Sequence, residues 1–233
     1  MSNNINIPDM DDLRRVFMKY SQQTFNKIPQ LPTKPRILDV GCGSGESTIL
    51  LAQLTDGDVT GIDIDMNALN KFQEKLDDST LKDRIEILKE SFIENDFSNE
   101  SFDLVWAEGV FHIIGYDKCL QESSRVLKNG GFLVALDTIK VINKHLKSLD
   151  KFGFKVIDKI IWQEGAWWTE YYEPLERKIK YLRDKGTDPS LFKHLLDHEH
   201  EIAMVKHNPN EFDCAHYIYQ KVIKQKMKVM KSG

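Results

Sequence analysis

The chain has 233 residues, of which 32 are basic and 36 acidic, so its formal net charge is −4. Hydrophobic residues make up 41% and charged residues 29% of the chain, a composition that supports a sizeable core and excludes global disorder. A slightly acidic chain also lacks the broad positive field of non-specific nucleic-acid binders, and its length predicts one large domain or one domain with an addition.

Cysteine usage and the first residues indicate the compartment. Cys42, Cys119 and Cys214 are odd in number, widely spaced and outside any CxxC motif, which favours a reducing environment over a disulfide framework. Residues 1–12 are polar and acidic, unlike a signal peptide, and no apolar run approaches the length of a membrane span. We therefore expect a cytoplasmic globular protein with no membrane partner.

An N-terminal helix, residues 11–28, is predicted because apolar residues recur there mostly every three to five positions. After a proline-rich stretch, short apolar runs alternate with amphipathic segments. The predicted strands span residues 36–40, 59–64, 84–88, 102–107 and 132–137, and the predicted helices between them span residues 46–54, 67–76 and 117–127. This alternation is typical of right-handed βαβ units and a parallel sheet.

The last third of the sequence has a different rhythm. Residues 154–162 and 214–222 resemble strands, and the segment between them, residues 170–206, is mostly helical in pattern. This order predicts a helical cover inserted late in the fold. We assign residues 166–208 to a helical lid insertion before the last strand and residues 1–30 to an N-terminal helical cap, within one domain of residues 1–233.

A glycine-rich turn joins the first predicted strand to the next helix, in the pattern acid-x-Gly-x-Gly-x-Gly from Asp39 to Gly45. Such a turn lets backbone N–H groups approach a ligand closely. A dinucleotide fingerprint would place a glycine at position 46, but Glu46 stands there, and the lysine of a P-loop is absent. Asp63 ends the second strand, where an acid can accept both hydrogens of a ribose diol. A nucleoside with an amino-acid tail satisfies this pattern.

The turn and Asp63 resemble the first two motifs of the class I S-adenosylmethionine-dependent methyltransferases. The resemblance extends through residues 102–109 and 125–131 and covers roughly residues 36–140. It implies an α/β, Rossmann-like fold: a seven-stranded, mostly parallel sheet with one antiparallel strand and helices on both faces. It also implies S-adenosyl-L-methionine as the cofactor.

The resemblance further implies how individual residues meet this cofactor. The glycine turn would face the methionine part, Asp63 would hold the ribose diol, and Ile64 would lie beneath the adenine. Glu90 stands where the family often has an acid near the adenine amine, although an exposed loop glutamate is the alternative. The implied cofactor-binding residues are Asp39, Gly41, Cys42, Gly43, Ser44, Gly45, Asp63, Ile64, Glu90, Ser91, Phe92, Ala107 and Glu108.

The methyl acceptor is less defined by the sequence. The Asn/Asp-Pro-Pro-Tyr/Phe and Pro-Cys signatures of DNA-directed methylases are absent, and residues 106–115 and 165–174 resemble a prokaryotic subgroup of small-molecule type. We expect a small-molecule acceptor and no nucleic-acid partner. A methyltransferase acting on RNA or protein, or a cofactor-binding protein without catalysis, are the alternatives, and a homodimer is one open form of assembly.

Methyl transfer is an in-line displacement that depends on alignment and exclusion of water, so a lid is expected. One candidate is the N-terminal helix with Tyr20, and the other is a cluster in the insertion. The residues of that cluster are Trp167, Trp168, Tyr171 and Tyr172. Such aromatic faces can hold a sulfonium or an ammonium by cation–π attraction, or can simply pack the inserted helices onto the sheet.

An acceptor that must lose a proton would require a base. His112, just after the fourth strand, is the first candidate and Glu108 is the second. The alternatives are a hydrogen-bonded core histidine and a glutamate that organises the glycine turn.

Two charged features are interpreted as surface rather than as sites. His194, His198 and His200 share a helical segment without a second ligand cluster, so a solvated face is favoured and no metal is expected. A basic tail is predicted from the last lysines, which are Lys221, Lys224, Lys226, Lys228 and Lys231.

Overall fold

The computed structural model describes residues 7–8 and 10–222. Its strands are β1 (Arg36–Val40), β2 (Asp58–Asp63), β3 (Ile85–Lys89), β4 (Phe102–Glu108), β5 (Leu127–Thr138), β6 (Phe154–Ile161) and β7 (Cys214–Lys221). They form one seven-stranded sheet in the order β3-β2-β1-β4-β5-β7-β6. β7 is antiparallel to both of its neighbours and the other pairs are parallel, which confirms the predicted fold class.

Helices cover both faces of the sheet. They are α1 (Met10–Arg14), α2 (Met18–Phe25), α3 (Glu46–Leu54), α4 (Met66–Asp77), α5 (Phe111–Ile114), α6 (Tyr116–Val126), α7 (Ile139–His145), α8 (Glu173–Asp184), α9 (Lys193–Leu196) and α10 (Glu199–His207). Because successive strand residues point to opposite faces, Ile37 packs into the core beneath α3 and α4, while Leu38 packs into the core beneath α6 and α7.

Local boundaries differ from the sequence prediction in three places. The helix predicted over residues 11–28 is interrupted by a 3₁₀ turn at Arg15–Phe17. β5 begins at Leu127 rather than at the predicted residue 132 and so includes Gly131, which passes so close to β4 that a Cβ there would lie 3.0 Å from the carbonyl oxygen of Asp103. α7 and the 3₁₀ turn Leu146–Phe152 occupy a segment for which the sequence predicted no element.

The insertion between β6 and β7 is more broken than its pattern predicted. A π-helical turn, Trp167–Tyr172, leads into α8, and the 3₁₀ turns Pro189–Phe192 and Pro209–Phe212 flank the short helices α9 and α10. Prolines begin both 3₁₀ turns, consistent with their fixed φ and missing N–H.

An aromatic cluster joins this insertion to the N-terminal helices. The aromatic cap, as we term it, consists of Phe17, Tyr20, Trp162, Trp167 and Tyr171. The ring centroids of Phe17 and Trp167 are 4.6 Å apart, and Tyr20 stacks on Trp162 at 4.6 Å. The same cluster contains residues from the end of β5 and the start of β7, so the aromatic cap lies over the carboxyl edge of the parallel strands.

Among the described residues, no helix has the length and apolarity required to cross a bilayer. The three cysteines Cys42, Cys119 and Cys214 are buried free thiols.

Candidate functional site

Acidic side chains gather where four neighbouring strands end. Asp39 lies in β1, Asp63 ends β2, Glu108 ends β4 and Asp137 lies one residue before the end of β5. The carboxyl edge of an open parallel sheet is where such folds bind ligands. Three of these acids were selected from the sequence, and Asp137 was not.

The glycine turn is shaped by its backbone contacts. The N–H groups of Gly41 and Cys42 donate to the carbonyl oxygen of Ile62 at 2.8 and 3.0 Å, which fixes the turn beside β2. Gly45 has φ +88°, and a Cβ there would lie 2.1 Å from the Phe72 ring. Gly43, at φ +53°, has no heavy atom within 4 Å of the Cβ position. The turn is therefore packed at its helix end and open at its middle, where a ligand can approach the backbone.

The carboxylate of Asp63, at the end of β2, is hydrogen-bonded to this turn. Its Oδ2 accepts a hydrogen bond from the Gly43 N–H at 2.9 Å, and its Oδ1 accepts one from the Asp65 N–H at 2.9 Å. The neighbouring Ile64 side chain is 72% exposed, unusual for an isoleucine beside a core strand. The N–H of Glu90 donates to the Asp63 carbonyl at 3.1 Å, which brings the segment after β3 to the same place.

Two other residues selected from the sequence lie deeper. Asp39 is buried and its Oδ2 accepts a 2.6 Å hydrogen bond from Thr48. Burial raises the pKa of Asp39 to about 7, the Thr48 bond opposes this, and the charges of Glu108 and Asp63 add to the rise. Phe92 belongs to the core, where its ring is 6.4 Å from that of Phe111.

Glu108 is held by four donors. Its Oε1 accepts from Ser21 at 2.7 Å, Trp106 at 2.9 Å and His216 at 2.9 Å, and its Oε2 accepts from Ser47 at 2.9 Å. Burial opposes ionisation of this carboxyl, but the pKa of Glu108 is lowered by the hydrogen bond from His216, by the positive charge that His216 carries when protonated, and by the hydrogen bonds from the two serines. Glu108 is therefore a fixed anion at the end of β4.

His112 and Asp137 form a second polar group. Nδ1 of His112 lies 3.0 Å from Oδ2 of Asp137, and the side chains are 46% and 2% exposed respectively. Asp137 also accepts from the Thr138 N–H at 2.8 Å. A carboxylate at Nδ1 places the proton on that nitrogen and leaves Nε2 with its lone pair. The position of Asp137 at the end of a predicted strand, like Asp63, was the signal that could have identified it.

A cavity of about 430 Å³ connects these groups. The glycine turn forms one side, the ends of β4 and β5 form its floor, and the aromatic cap and N-terminal helices close over it. The lining residues that carry the later arguments are Arg14, Phe17, Gly43, Glu108, His112, Trp162 and Trp167.

Comparison with known proteins places this site in a family. A family model described as a methyltransferase domain matches residues 38–135, the segment that holds β1 to β5 and the glycine turn. This match supports the assignment of the segment to the class I S-adenosylmethionine-dependent methyltransferases. The same match supports S-adenosyl-L-methionine as the cofactor, and the open middle of the glycine turn, beside Asp63 and the exposed Ile64, fits a nucleoside with an amino-acid tail.

Relatives of this chain include Methyltransferase GfsG of Streptomyces halstedii, 28% identical over 56% of this chain and 47% of that protein. Another is the sarcosine/dimethylglycine N-methyltransferase of Aphanothece halophytica, 29% identical over 59% of this chain and 55% of that protein. The chain spans about half the length of these relatives. Among solved structures, the [4+2]-cyclase SpnF shares the fold, with a TM-score of 0.68, 17% identity and coverage of 90% and 82% of the two chains.

The aromatic residues predicted for the lid fall into two groups. Trp167 lines the cavity, whereas Tyr20 and Tyr171 are buried within the aromatic cap behind it. Trp168 lies beneath Lys206, whose Nζ is 5.3 Å from its ring centroid, and Tyr172 donates to Glu201 at 3.1 Å.

Two further residues of this region, Trp162 in the cavity wall and its hydrogen-bond partner His216, were not selected from the sequence. Trp162 follows β6 and lines the cavity, while the imidazole of His216, in β7, is fully buried. The available signals were a tryptophan at the end of a predicted strand and a histidine inside an apolar one.

The features interpreted as surface have specific contacts. Nε2 of His194 donates to the Pro8 carbonyl at 3.1 Å, and Nδ1 of His198 lies 2.7 Å from Glu201. In the described part of the chain, no group of three histidine, cysteine or acidic residues is arranged to hold a metal ion.

The prediction of a basic tail was wrong for Lys221. This residue is buried in β7, where its amine donates a hydrogen bond to the Leu127 carbonyl at 2.6 Å. Lys224, Lys226, Lys228 and Lys231 lie outside the described residues.

Proposed function

We propose that this protein transfers the methyl group of S-adenosyl-L-methionine to a small molecule bound beneath the aromatic cap. The observation that carries the proposal is a single cavity with the glycine turn on one side, the aromatic cap on the other and the His112–Asp137 pair between them. Its volume of about 430 Å³ is in the range typical of small-ligand pockets.

The cofactor is assigned to the residues at the ends of β1 to β4. Each oxygen of Asp63 accepts one backbone N–H and keeps a second lone pair, so the carboxylate can also accept the hydrogens of a ribose diol. Gly43 gives the methionine part access to the backbone, and Ile64 offers an apolar surface to the adenine. When bound, S-adenosylmethionine supplies an electrophilic methyl group on a sulfonium.

The aromatic cap is assigned the work of alignment. Phe17, Trp162 and Trp167 line the cavity and pack against one another, with ring centroids 4.6 to 6.0 Å apart. Rigid apolar walls exclude water and limit the poses of a small acceptor, and orientation of this kind contributes roughly 7–11 kcal/mol in favourable reactions.

The base is assigned to His112 rather than to Glu108. Asp137 fixes the imidazole tautomer that leaves Nε2 free to take a proton from the acceptor. Glu108 already accepts four hydrogen bonds and has a lowered pKa, so it is a weak base. Its role is to hold charge and geometry at the end of β4.

Two alternatives are less well supported. An RNA or protein acceptor would favour a basic rim, yet Arg14 is the only lysine or arginine among the described residues that line the cavity. A protein without methyl-transfer activity is the second alternative, since the [4+2]-cyclase SpnF has the same fold.

Methyl-labelled S-adenosylmethionine tests the proposal directly. The purified chain is incubated with it and with separate pools of small amines, phenols, carboxylic acids, RNA and protein. We expect label in a small-molecule product and its loss in His112→Gln, with the binding of S-adenosylhomocysteine retained. Cofactor binding without transfer to any pool, or transfer only to RNA or protein, would overturn the proposal.

A further inference from the structure

The charge on Glu108 is stabilised by dipoles rather than by a cation among its four hydrogen-bond donors. Ser21 and Ser47 donate hydroxyl groups and Trp106 donates an indole N–H, all of them neutral. The fourth donor, His216, decides whether the group as a whole carries a negative charge.

Trp162 sets the protonation of His216. The indole Nε1 of Trp162 donates to Nδ1 of His216 at 3.1 Å, so Nδ1 must present a lone pair. The ring proton is therefore on Nε2, which donates to Glu108 at 2.9 Å. In a doubly protonated imidazolium, the Nδ1–H of His216 would point at the indole N–H of Trp162. Two donors would then face each other inside a fully buried site. His216 is thus a neutral donor, and the negative charge of Glu108 remains.

Other acids along the cavity differ from Glu108. Glu46 is paired with Arg15 at 3.1 Å and Lys75 at 2.7 Å, and Asp11 is also paired with Lys75, at 3.0 Å. Asp39 is buried, with a pKa near 7, so part of its population is neutral. Among the described acids that line the cavity, Glu108 is therefore the one whose charge is neither paired with a lysine or arginine nor partly lost to protonation.

Arg14 is the basic group to weigh against this charge. It is an exposed residue that lines the cavity, and its charge acts on Glu201 and Tyr171 in the insertion.

Three of those rings share the cavity with this carboxylate. Phe17 and Trp162 are 7% and 4% exposed, and Trp167 packs on Phe17 with centroids 4.6 Å apart. The Trp162 and Trp167 N–H groups are directed to His216 and Cys214, so the rings themselves supply the apolar wall. Aromatic faces beside a carboxylate are the surroundings that bind an organic ammonium.

We propose that the methyl acceptor is a small amine that enters as an ammonium cation, held between Glu108 and the rings of Phe17, Trp162 and Trp167. The inference rests on the proposed function and specifies its substrate class. The sulfonium of the cofactor is also a cation, so the test must separate the two charges.

The reaction balances with the groups present. Nε2 of His112 takes one proton from the ammonium, which gives a neutral amine and an imidazolium. The lone pair of the amine would then form a C–N bond to the methyl carbon of the cofactor. The C–S bond would break at the same time, and the electron pair of that bond would stay on sulfur. The products are a methylated ammonium and the neutral thioether S-adenosylhomocysteine.

The binding test uses a matched pair of probes. Choline and 3,3-dimethylbutan-1-ol have the same shape and differ by one positive charge, and each is titrated calorimetrically into the full chain saturated with S-adenosylhomocysteine, which lacks the sulfonium charge. We expect choline to bind at least about tenfold more tightly than the neutral probe. Equal affinities would overturn the inference.

Three variants locate the preference. Glu108→Gln should reduce it to about threefold or less, and Trp167→Leu should weaken choline binding by about three- to tenfold while changing the neutral probe less. Glu164→Gln is the matched control, because Glu164 is an exposed residue of the insertion that contacts Asn210 outside the cavity, and it should retain the full preference. The inference would be overturned if Glu164→Gln lost the preference for choline while Glu108→Gln and Trp167→Leu kept it. If Glu108→Gln fails to fold, Trp167→Leu decides alone.

The two proposals fail in different ways. Labelled phenols or carboxylic acids with no labelled amine would refute the amine inference and leave the proposed function standing. A charge preference at the cavity without transfer to any pool would refute the proposed function and support the cation site.

Discussion

Substitution of Asp39 by asparagine should make the protein more stable at neutral pH, an unusual outcome for a residue of a cofactor-binding motif. Asp39 is buried, and its pKa is raised from 3.8 to about 7. In the unfolded chain the carboxyl releases its proton near 3.8, so between 3.8 and about 7 the folded state binds more protons and stability falls as pH rises. The difference corresponds to about 4 kcal/mol, fully developed above pH 7 and absent below pH 3.8.

Asparagine removes this penalty and keeps an oxygen that can accept the Thr48 hydroxyl. Urea unfolding of wild type and Asp39→Asn, without cofactor, at half-unit steps from about pH 4 to pH 8 gives the difference in unfolding free energy at each pH. We expect that difference to increase by about 2–4 kcal/mol in favour of the variant across this range.

Taking the difference between the two proteins at each pH cancels titration of the other groups, so wild type serves as the control throughout. A difference that does not change with pH would refute the burial argument. So would a variant that loses relative stability as the pH rises.

Further outcomes follow from the same site. Asp63→Ala should weaken S-adenosylhomocysteine binding by about 10- to 100-fold in calorimetry, because it removes a charged acceptor, and unchanged affinity would remove Asp63 from the cofactor site. Asp137→Asn should lower kcat by at least about tenfold with nearly unchanged cofactor affinity, since His112 loses its orienting partner; an equal effect on both would indicate a structural role. Gly45→Ala should destabilise the fold by about 2–4 kcal/mol in urea, because its Cβ meets Phe72, whereas Gly43→Ala should mainly weaken cofactor binding; the reverse ranking would contradict the packing of the turn.

The features that the sequence could predict are local ones. The turn from Asp39 to Gly45 and the acid at Asp63 are contiguous patterns whose spacing reflects a strand, a turn and a helix, and the structure has all of them in place. Alternation of apolar runs was enough to predict the parallel strands, because the runs of β1, β2, β4 and β5 are buried on both faces.

What the sequence could not show is contact between distant positions. The donors to Glu108 come from residues 21, 47, 106 and 216, and their convergence depends on the strand order and on the reversed β7. Asp137 contacts His112 because β5 pairs with β4, and this pairing cannot be derived from the sequence around either residue. The N-terminal helix and the insertion were predicted as rival lids, whereas both contribute to one aromatic cap.

That shared aromatic cap has a consequence for how acceptor preference can change during evolution or engineering. The segment that matches the methyltransferase family model ends at residue 135, while Phe17, Trp162 and Trp167 all lie outside it. The portion of the chain to which we assign cofactor binding can therefore be inherited intact while the proposed acceptor wall diverges. A chimera that exchanges only the insertion would break the stacking of Tyr20 on Trp162, so transplanting the acceptor preference requires moving residues 10–25 and 162–207 together.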